Sequence, residues 1–420
     1  MKRFLIAVSF VLMAFTASAD NSVDDVLKQI AQNNLTLRAL QHDNEADVLD
    51  IKAENSLDGL SVEYSPFFRS GYSGVAESEL VVSQEIQFPT KYADRNKQAK
   101  IQKTVGGKMY EKNRRDILLE AEQLCIDVIR LNKTLAMLDQ RLKNSETLHQ
   151  MYDKRMAAGD ANILEVNKVK LDCMEVQTMV SEAQNERMLL LQQLQQLNGG
   201  KPVTIDSEKF PEFQPIKDFE SYKALYLASD ADIQMAETML KSADMNVKMQ
   251  KREWLPNISF GYRRNTEQKE GVNGIMVGVS FPLYSNSKRI KAARERRQSA
   301  ELQVEQARKD AESQLQSGYQ QLVGLQQVLD HSDVKMMQES IVLFSKALQH
   351  GEINALDYYT EVNSIYEKLQ RHIDIHCQSA KPPVAVTLAG LPTRSRTAWK
   401  TVAIFIQIPS ITERSISARV

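Results

Sequence analysis

The chain is poor in cysteine, proline and glycine. Three cysteines in 420 residues exclude a disulfide scaffold. Glycine (16) and proline (11) fall below their usual shares of about 7% and 5%, so little interrupts a helix and long ones are allowed. No charge sign dominates: 53 Lys and Arg stand against 54 Asp and Glu, net −1. That balance points to neither nucleic acid nor an anionic membrane surface. Beyond the first twenty residues no run reaches the ~18 apolar positions a spanning helix needs. With a mean hydropathy of −0.39, a multi-helix membrane protein is excluded. At 42% hydrophobic residues, so is a disordered tail protein.

What is present begins with an export signal. Lys2 and Arg3 form a basic start, Phe4 to Phe15 an apolar stretch, and Ala17-Ser18-Ala19 a small-residue cleavage site. Residues 1–19 read as a signal peptide, and the mature chain starts near Asp20. A membrane anchor would need a longer apolar run, and no cysteine stands near the cleavage point to carry a lipid. Cys125, Cys173 and Cys377 are odd in number and sit in helical sequence; they read as ordinary packed or surface residues.

Proline is absent from Thr90 to Lys201 and again from Leu283 to Lys381. Each stretch has one glycine in a turn-like setting, Gly159 and Gly351. Glycine just past a helix end adopts left-handed dihedrals without strain, and an acid beyond it, Asp160 or Glu352, suits the next helix start. Each stretch therefore reads as a helical hairpin, with rising arms over Lys91–Ala158 and Lys288–His350, each about 95–100 Å long at ~1.5 Å per residue. From Ala293, the positions Ala300, Val304, Ala307, Ala311, Leu315, Gly318, Leu322, Leu325 and Leu329 step by threes and fours. Small residues in this seam allow close helix approach. The sixteen methionines fall at such seam positions and read as core filling.

Two other regions alternate with period two. Leu60–Tyr64 and Leu80–Phe88 flank a polar loop, Arg69–Ser78; Ile258–Tyr262 and Ile275–Phe281 flank another, Arg263–Asn273. They predict two β-hairpins with strands of about ten residues, long enough to cross a bilayer with tilt. The halves also match: Phe88-Pro89 with Phe281-Pro282, and Tyr152 through Gly159 with Phe344 through Gly351 at an offset of 192. Each half runs helix (Ser22–Asn55, Asp218–Trp254), β-hairpin, helical hairpin. The order predicts a signal peptide 1–19, a first repeat 20–198, a linker 199–217, a second repeat 218–377 and an atypical tail 378–420.

The predicted fold class is mainly α with a small β part. In lipid every strand edge must be paired, so only a closed barrel is allowed, and four strands cannot close one; the smallest membrane barrels have eight. Copies of the chain must share it, and three copies supply twelve strands, enough for an open lumen. Two copies would give eight strands, whose interior side chains fill; the expectation is a shared transmembrane β-barrel with long helical hairpins leaving its strands on one side.

The ordered duplicate set, with Gly278-Val-Ser-Phe-Pro-Leu-Tyr284 running into a basic helix start and Tyr152/Phe344 placed seven residues before each tip glycine, resembles the TolC-type outer-membrane efflux proteins from about Ser22 to Gln370. The resemblance implies a homotrimer in the Gram-negative outer membrane, with its helical part in the periplasm. It implies docking through the helical tips onto a periplasmic adaptor joined to an inner-membrane pump, and passive conduction of toxic solutes or metal ions. No nucleic acid, cofactor, metal or catalytic residue is implied. Acidic residues just past the tip glycine line the family's periplasmic entrance; here these are Glu165 and Asp357, each six positions beyond its glycine. A second Asp three residues further on in one relative is replaced by Thr360, with Glu361 beside it. Gly159, Asp160, Gly351 and Glu352 become the candidates for adaptor docking.

Two rival classes are distinguishable. A periplasmic adaptor would carry one hairpin between small β half-domains, and a structural coiled-coil tether would lack the alternating strands. His372, His376 and Cys377 have a metal-like spacing but no glutamate in the zincin position. Beyond Cys377 the composition shifts: Gln378–Val420 holds one acid, Glu413, and four of the eleven prolines. Pro382-Pro383 is expected to stop the last helix early, as a truncation or an altered reading frame would.

Overall fold

The computed structural model describes residues 22–71, 73–211, 218–267, 270–281 and 286–381. The signal peptide, residues 212–217 of the linker, Pro282, Leu283 and the tail from Pro382 lie outside the described residues. In chain order the elements are α1 (Val23–Asn33), α2 (Leu35–Ala53), β1 (Ser61–Phe67), β2 (Glu77–Gln87), α3 (Pro89–Ala158), α4 (Ile163–Leu197), α5 (Phe219–Ser229), α6 (Ala231–Arg252), β3 (Asn257–Glu267), β4 (Glu270–Ser280), α7 (Asn286–Asp330), α8 (Val334–His350) and α9 (Ala355–Ala380). Two helices and two strands precede α3 and its return α4, and two helices and two strands again precede α7, α8 and α9. Among the described residues no helix is long and apolar enough to cross a membrane.

The chain divides into two compact units. One comprises Asn33–Glu120 and Gln214–Gln327 of the described chain and holds the sheet. Its four strands are antiparallel in the order β1-β2-β3-β4. Gln87 stands opposite Asn257, and Asn257 opposite Ser280, so α3, α6 and α7 all join the sheet at one end. Large apolar residues of the strands point outward into solvent, among them Val62, Tyr64, Phe260, Ile275 and Val277. The predicted loop Arg263–Asn273 is nearly all strand: Arg263 pairs with Gly274 and Glu267 with Glu270. The ladder is a backbone property, and polar side chains do not end it, so apolar alternation marks only the half of each strand nearer the helices. β1, by contrast, has 7 residues, shorter than expected.

Three predicted helices are broken, each at an Asx cap. The first helix breaks at Asn34, whose side chain accepts from the Leu37 N–H (3.0 Å). Its counterpart breaks at Asp230, which accepts from Ile233 N–H (3.0 Å) and faces Arg115 (3.5 Å). The second rising arm is α7 and α8, separated at Asp333, which accepts from Met336 N–H (2.8 Å). A capping oxygen satisfies an orphan donor of the following turn, so a helix ends there without proline or glycine. α7 packs by the small-residue seam: Ala293, Ala300, Ala311 and Leu315 are buried. Gly106 lies inside α3 where a Cβ would collide with the Asn44 side-chain amide of α2, so any larger residue there must push that amide aside.

The other unit comprises Ala121–Phe213 and Val328–Lys381, with α1 up to Gln32. Here the start of the predicted linker is tied down. Asn132 donates to the carbonyls of Ile205 and Ser207 (3.0 Å each) and Arg187 to that of Ile205 (3.2 Å), while Val203, Ile205 and Phe210 are buried. α9 stops at Ala380, as the following prolines require.

Candidate functional site

The tips of the two helical hairpins share one glycine termination and one asparagine cap. After α3, Gly159 takes φ +82°, and Asp160 N–H reaches back to Arg155 O (2.8 Å). After α8, Gly351 takes φ +75°, and Glu352 N–H reaches Ala347 O (2.9 Å). These are left-handed glycine terminations that satisfy otherwise orphaned carbonyls. Asp160 and Glu352 do not start the next helices, contrary to the sequence expectation. Asn162 and Asn354 cap them, each accepting from the N–H three residues on (2.9 Å). An amide side chain caps better than an acid placed two residues too early.

Glu165 and Asp357 occupy the third position of α4 and α9. The Glu165 carboxylate accepts the Asn162 N–H (3.0 Å), completing a capping box. Asp357 is one methylene shorter and accepts instead from the Asn354 side chain (2.7 Å). Both acids lie toward solvent beside the tip. Burial, and then the nearby Glu165 charge, push the Tyr152 phenol up. Thr360 bonds back to Leu356 O (2.9 Å) along its own helix.

Beneath the tips, Leu148, Tyr152, Val166, Leu348, Tyr358, Tyr359, Tyr366 and their neighbours form one apolar cluster. A charged group sits inside it. Arg141 of α3 pairs with Asp172 of α4 at 3.0 Å, with side chains only 9% and 4% exposed. Ser145 donates to the other Asp172 oxygen (2.8 Å), Arg141 donates to Asn363 of α9 (3.0 Å), and its guanidinium lies 5.0 Å from the Tyr366 ring centre. Tyr358 and Ser345 share a further hydrogen bond (3.2 Å), bringing in α8. Sequence reasoning missed this group. The available signal was a polar intruder in each apolar stripe: Arg141 and Ser145 between Leu138 and Leu148, and Asp172 between Val169 and Val176.

The remaining candidates have other partners. The His376 ring packs on Phe210 (4.7 Å between centres) and Cys377 lies 3.6 Å from Asp127. Cys125, Cys173 and Cys377 are buried and form no disulfide. Among the described residues no three His, Cys, Asp or Glu side chains are arranged to hold a metal.

Residues 224–381 match the outer membrane efflux protein family. No curated protein matches the chain. Among solved structures, CusC, described for transmembrane channel formation, is 17% identical with a TM-score of 0.68, covering 89% of this chain and 93% of its own. The outer membrane protein VceC of Vibrio cholerae is 15% identical (TM-score 0.72; 89% and 97% covered), and the outer membrane channel CmeC of Campylobacter jejuni 14% (0.70; 91% and 88%). At such identities the likeness shows the fold. The chain thus has the fold of the outer-membrane channel proteins over most of its length, and part of its second half matches the outer membrane efflux protein family.

Proposed function

We propose that this chain is the outer-membrane channel component of a tripartite efflux system, a passive conduit for small toxic solutes or metal ions. The observation that carries the proposal is the sheet. It has four strands, outward-facing apolar residues, an outer edge on β1 and another on β4 that pair with nothing among the described residues, and helices leaving at one end. Lipid tolerates no open edge, so identical copies complete the barrel, and a homotrimer gives twelve strands. Residues 1–19 export the chain from the cytoplasm, and the shared barrel lies in the Gram-negative outer membrane, with repeats 20–198 and 218–377 extending their helices into the periplasm. The family match and the channel folds support this reading, and no catalytic step is part of it.

The tips around Gly159, Asp160, Gly351 and Glu352 are the docking points for a periplasmic adaptor that links an inner-membrane pump. Glu165 and Asp357, threefold repeated, ring the periplasmic entrance with carboxylates, which favour cations and repel anions. Glu165→Gln with Asp357→Asn tests this cleanly, because both amides keep the capping acceptors and remove only charge. The full chain, extracted in detergent, should run as a trimer and give stepwise currents in planar bilayers. A monomer without conductance refutes the channel. Currents whose cation selectivity is unchanged in the double variant remove the ring and leave the channel.

A further inference from the structure

The balanced total charge conceals a strong segregation. Over the first turns of α7, Lys288, Arg289, Lys291, Arg294 and Arg296 are interrupted by one acid, Glu295. All five cations are exposed, and none has an ion pair among the described residues; the next, Arg297, is held by Asp244 (2.8 Å) and Glu301 (2.9 Å). Cations at a helix start oppose the helix dipole, so helix physics does not select them. The run follows β4 almost directly. At the same end of the sheet, the start of α3 shows exposed Lys97, Lys100 and Lys103, while Lys91 turns inward to Glu253 (3.4 Å). There too stands Trp254, between α6 and β3 and 60% exposed.

We propose that these cations form a collar that binds the phosphodiester headgroups of anionic phospholipids in the leaflet on the helix side of the membrane. The inference rests on the membrane reading of the sheet. The collar is continuous with the strands, its charge complements a phosphodiester layer, and tryptophan rings settle at headgroup depth. The collar fixes the depth at which the strands sit and selects the lipid around them. The overall charge of −1 gives no hint of it, because acids elsewhere in the chain cancel it.

Trp399→Phe leaves Trp254 as the sole tryptophan, and brominated lipids quench an indole they touch. The full-length protein is reconstituted in phosphatidylcholine vesicles containing brominated phosphatidylglycerol, or brominated phosphatidylcholine for comparison. Trp254 should prefer the anionic lipid about three- to fivefold at low salt, and the preference should fade near 1 M salt, where the screening length is ~3 Å. Replacing the five α7 cations by glutamine should remove most of the preference, whereas Lys154→Gln/Lys335→Gln/Lys346→Gln should leave it intact. Equal quenching by both lipids in the parent protein, or an unchanged preference in the five-fold variant, overturns the collar. Conducting protein quenched by neither lipid also overturns it, placing the cations in the lumen while the channel stands. Protein that neither conducts nor is quenched brings down the membrane reading as well.

Discussion

Asp172→Ala strands a buried guanidinium. In the native structure Asp172 offers one oxygen to Arg141 (3.0 Å) and the other to Ser145 (2.8 Å). Without it Arg141 keeps Asn363 Oδ1 (3.0 Å) and the Tyr366 face, neither of them charged. At 9% exposure the guanidinium cannot recover water without opening the cluster, so the loss should be about 3–5 kcal/mol, the cost of breaking a buried pair. At ~1.36 kcal/mol per decade, amides of α4 and α9 near the tip should open about 150- to several thousand-fold more often. Hydrogen exchange on the full-length protein reads this locally, without assuming two-state unfolding. Arg141→Met/Asp172→Leu should cost less than Asp172→Ala, because no charge is left unpaired; the orphaned Ser145 and Asn363 groups account for about 1–3 kcal/mol. Exchange in Asp172→Ala within threefold of the parent, or a double variant worse than the single, would refute the reasoning.

Gly106→Ala should loosen α2 against α3, since its new methyl collides with Asn44. Asn44→Ala in the same chain should restore most of the lost protection, and failure of the rescue would show that the close approach is not the cause. The imidazoles of His372 and His376 are pushed below the ordinary 6.5, by burial first and then by Lys133, with His372 adding to the effect on His376. Their folded values lie below their unfolded ones, so the unfolded chain takes up protons first as pH falls. Stability is therefore whole above about pH 6.5 and declines beneath it. The strap around Phe210, which packs on His376, should show faster intrinsic-corrected exchange at pH 5.5 than at 7.5. His376→Phe, which keeps a ring there, should flatten that slope; equal slopes in parent and variant would contradict the assignment.

The sequence shows those features whose physics is periodic or unique to one residue. Alternation marks the half of each strand nearer the helices, where one face is apolar. Gly159 and Gly351 announce the tips, because left-handed turns tolerate little else. The seam from Ala293 to Leu315 follows from helical spacing alone. The breaks at Asn34, Asp230 and Asp333 do not announce themselves, because Asx residues also occur within helices and only the local hydrogen bond decides. The outer parts of β3 and β4 are polar and imitate a loop. The pairing of Arg141 with Asp172 and Asn363 brings together residues 31 and 222 positions apart, and no spacing rule within one helix reaches that far. The role of Gly106 depends on Asn44 of another helix, so it too is invisible locally. Of the candidate site, the sequence shows the acids but not the caps that hold them.

The two tips superpose their roles at an offset of 192: Gly159 with Gly351, Asn162 with Asn354, Glu165 with Asp357. Carried 18 residues back, the same offset makes Arg141 the counterpart of Asp333. One residue bolts three helices together in the middle of unbroken α3; the other ends a helix and begins α8. The second rising arm is thus interrupted at His331–Asp333 where the first is continuous, and it is expected to open there more readily. There the chain is held by Ser332 N–H to Leu329 O (3.0 Å) and by the Asp333 cap to Met336 N–H (2.8 Å). Asp333→Ala removes the cap, worth about 0.5–2 kcal/mol, so the first-turn amides of α8 should exchange about 2- to 30-fold faster. Arg141→Ala should instead loosen α4 and α9 and leave that turn alone. Should Asp333→Ala leave Met336 and Met337 as protected as before, the break is held by packing rather than by its cap, and the second arm is as stiff as the first.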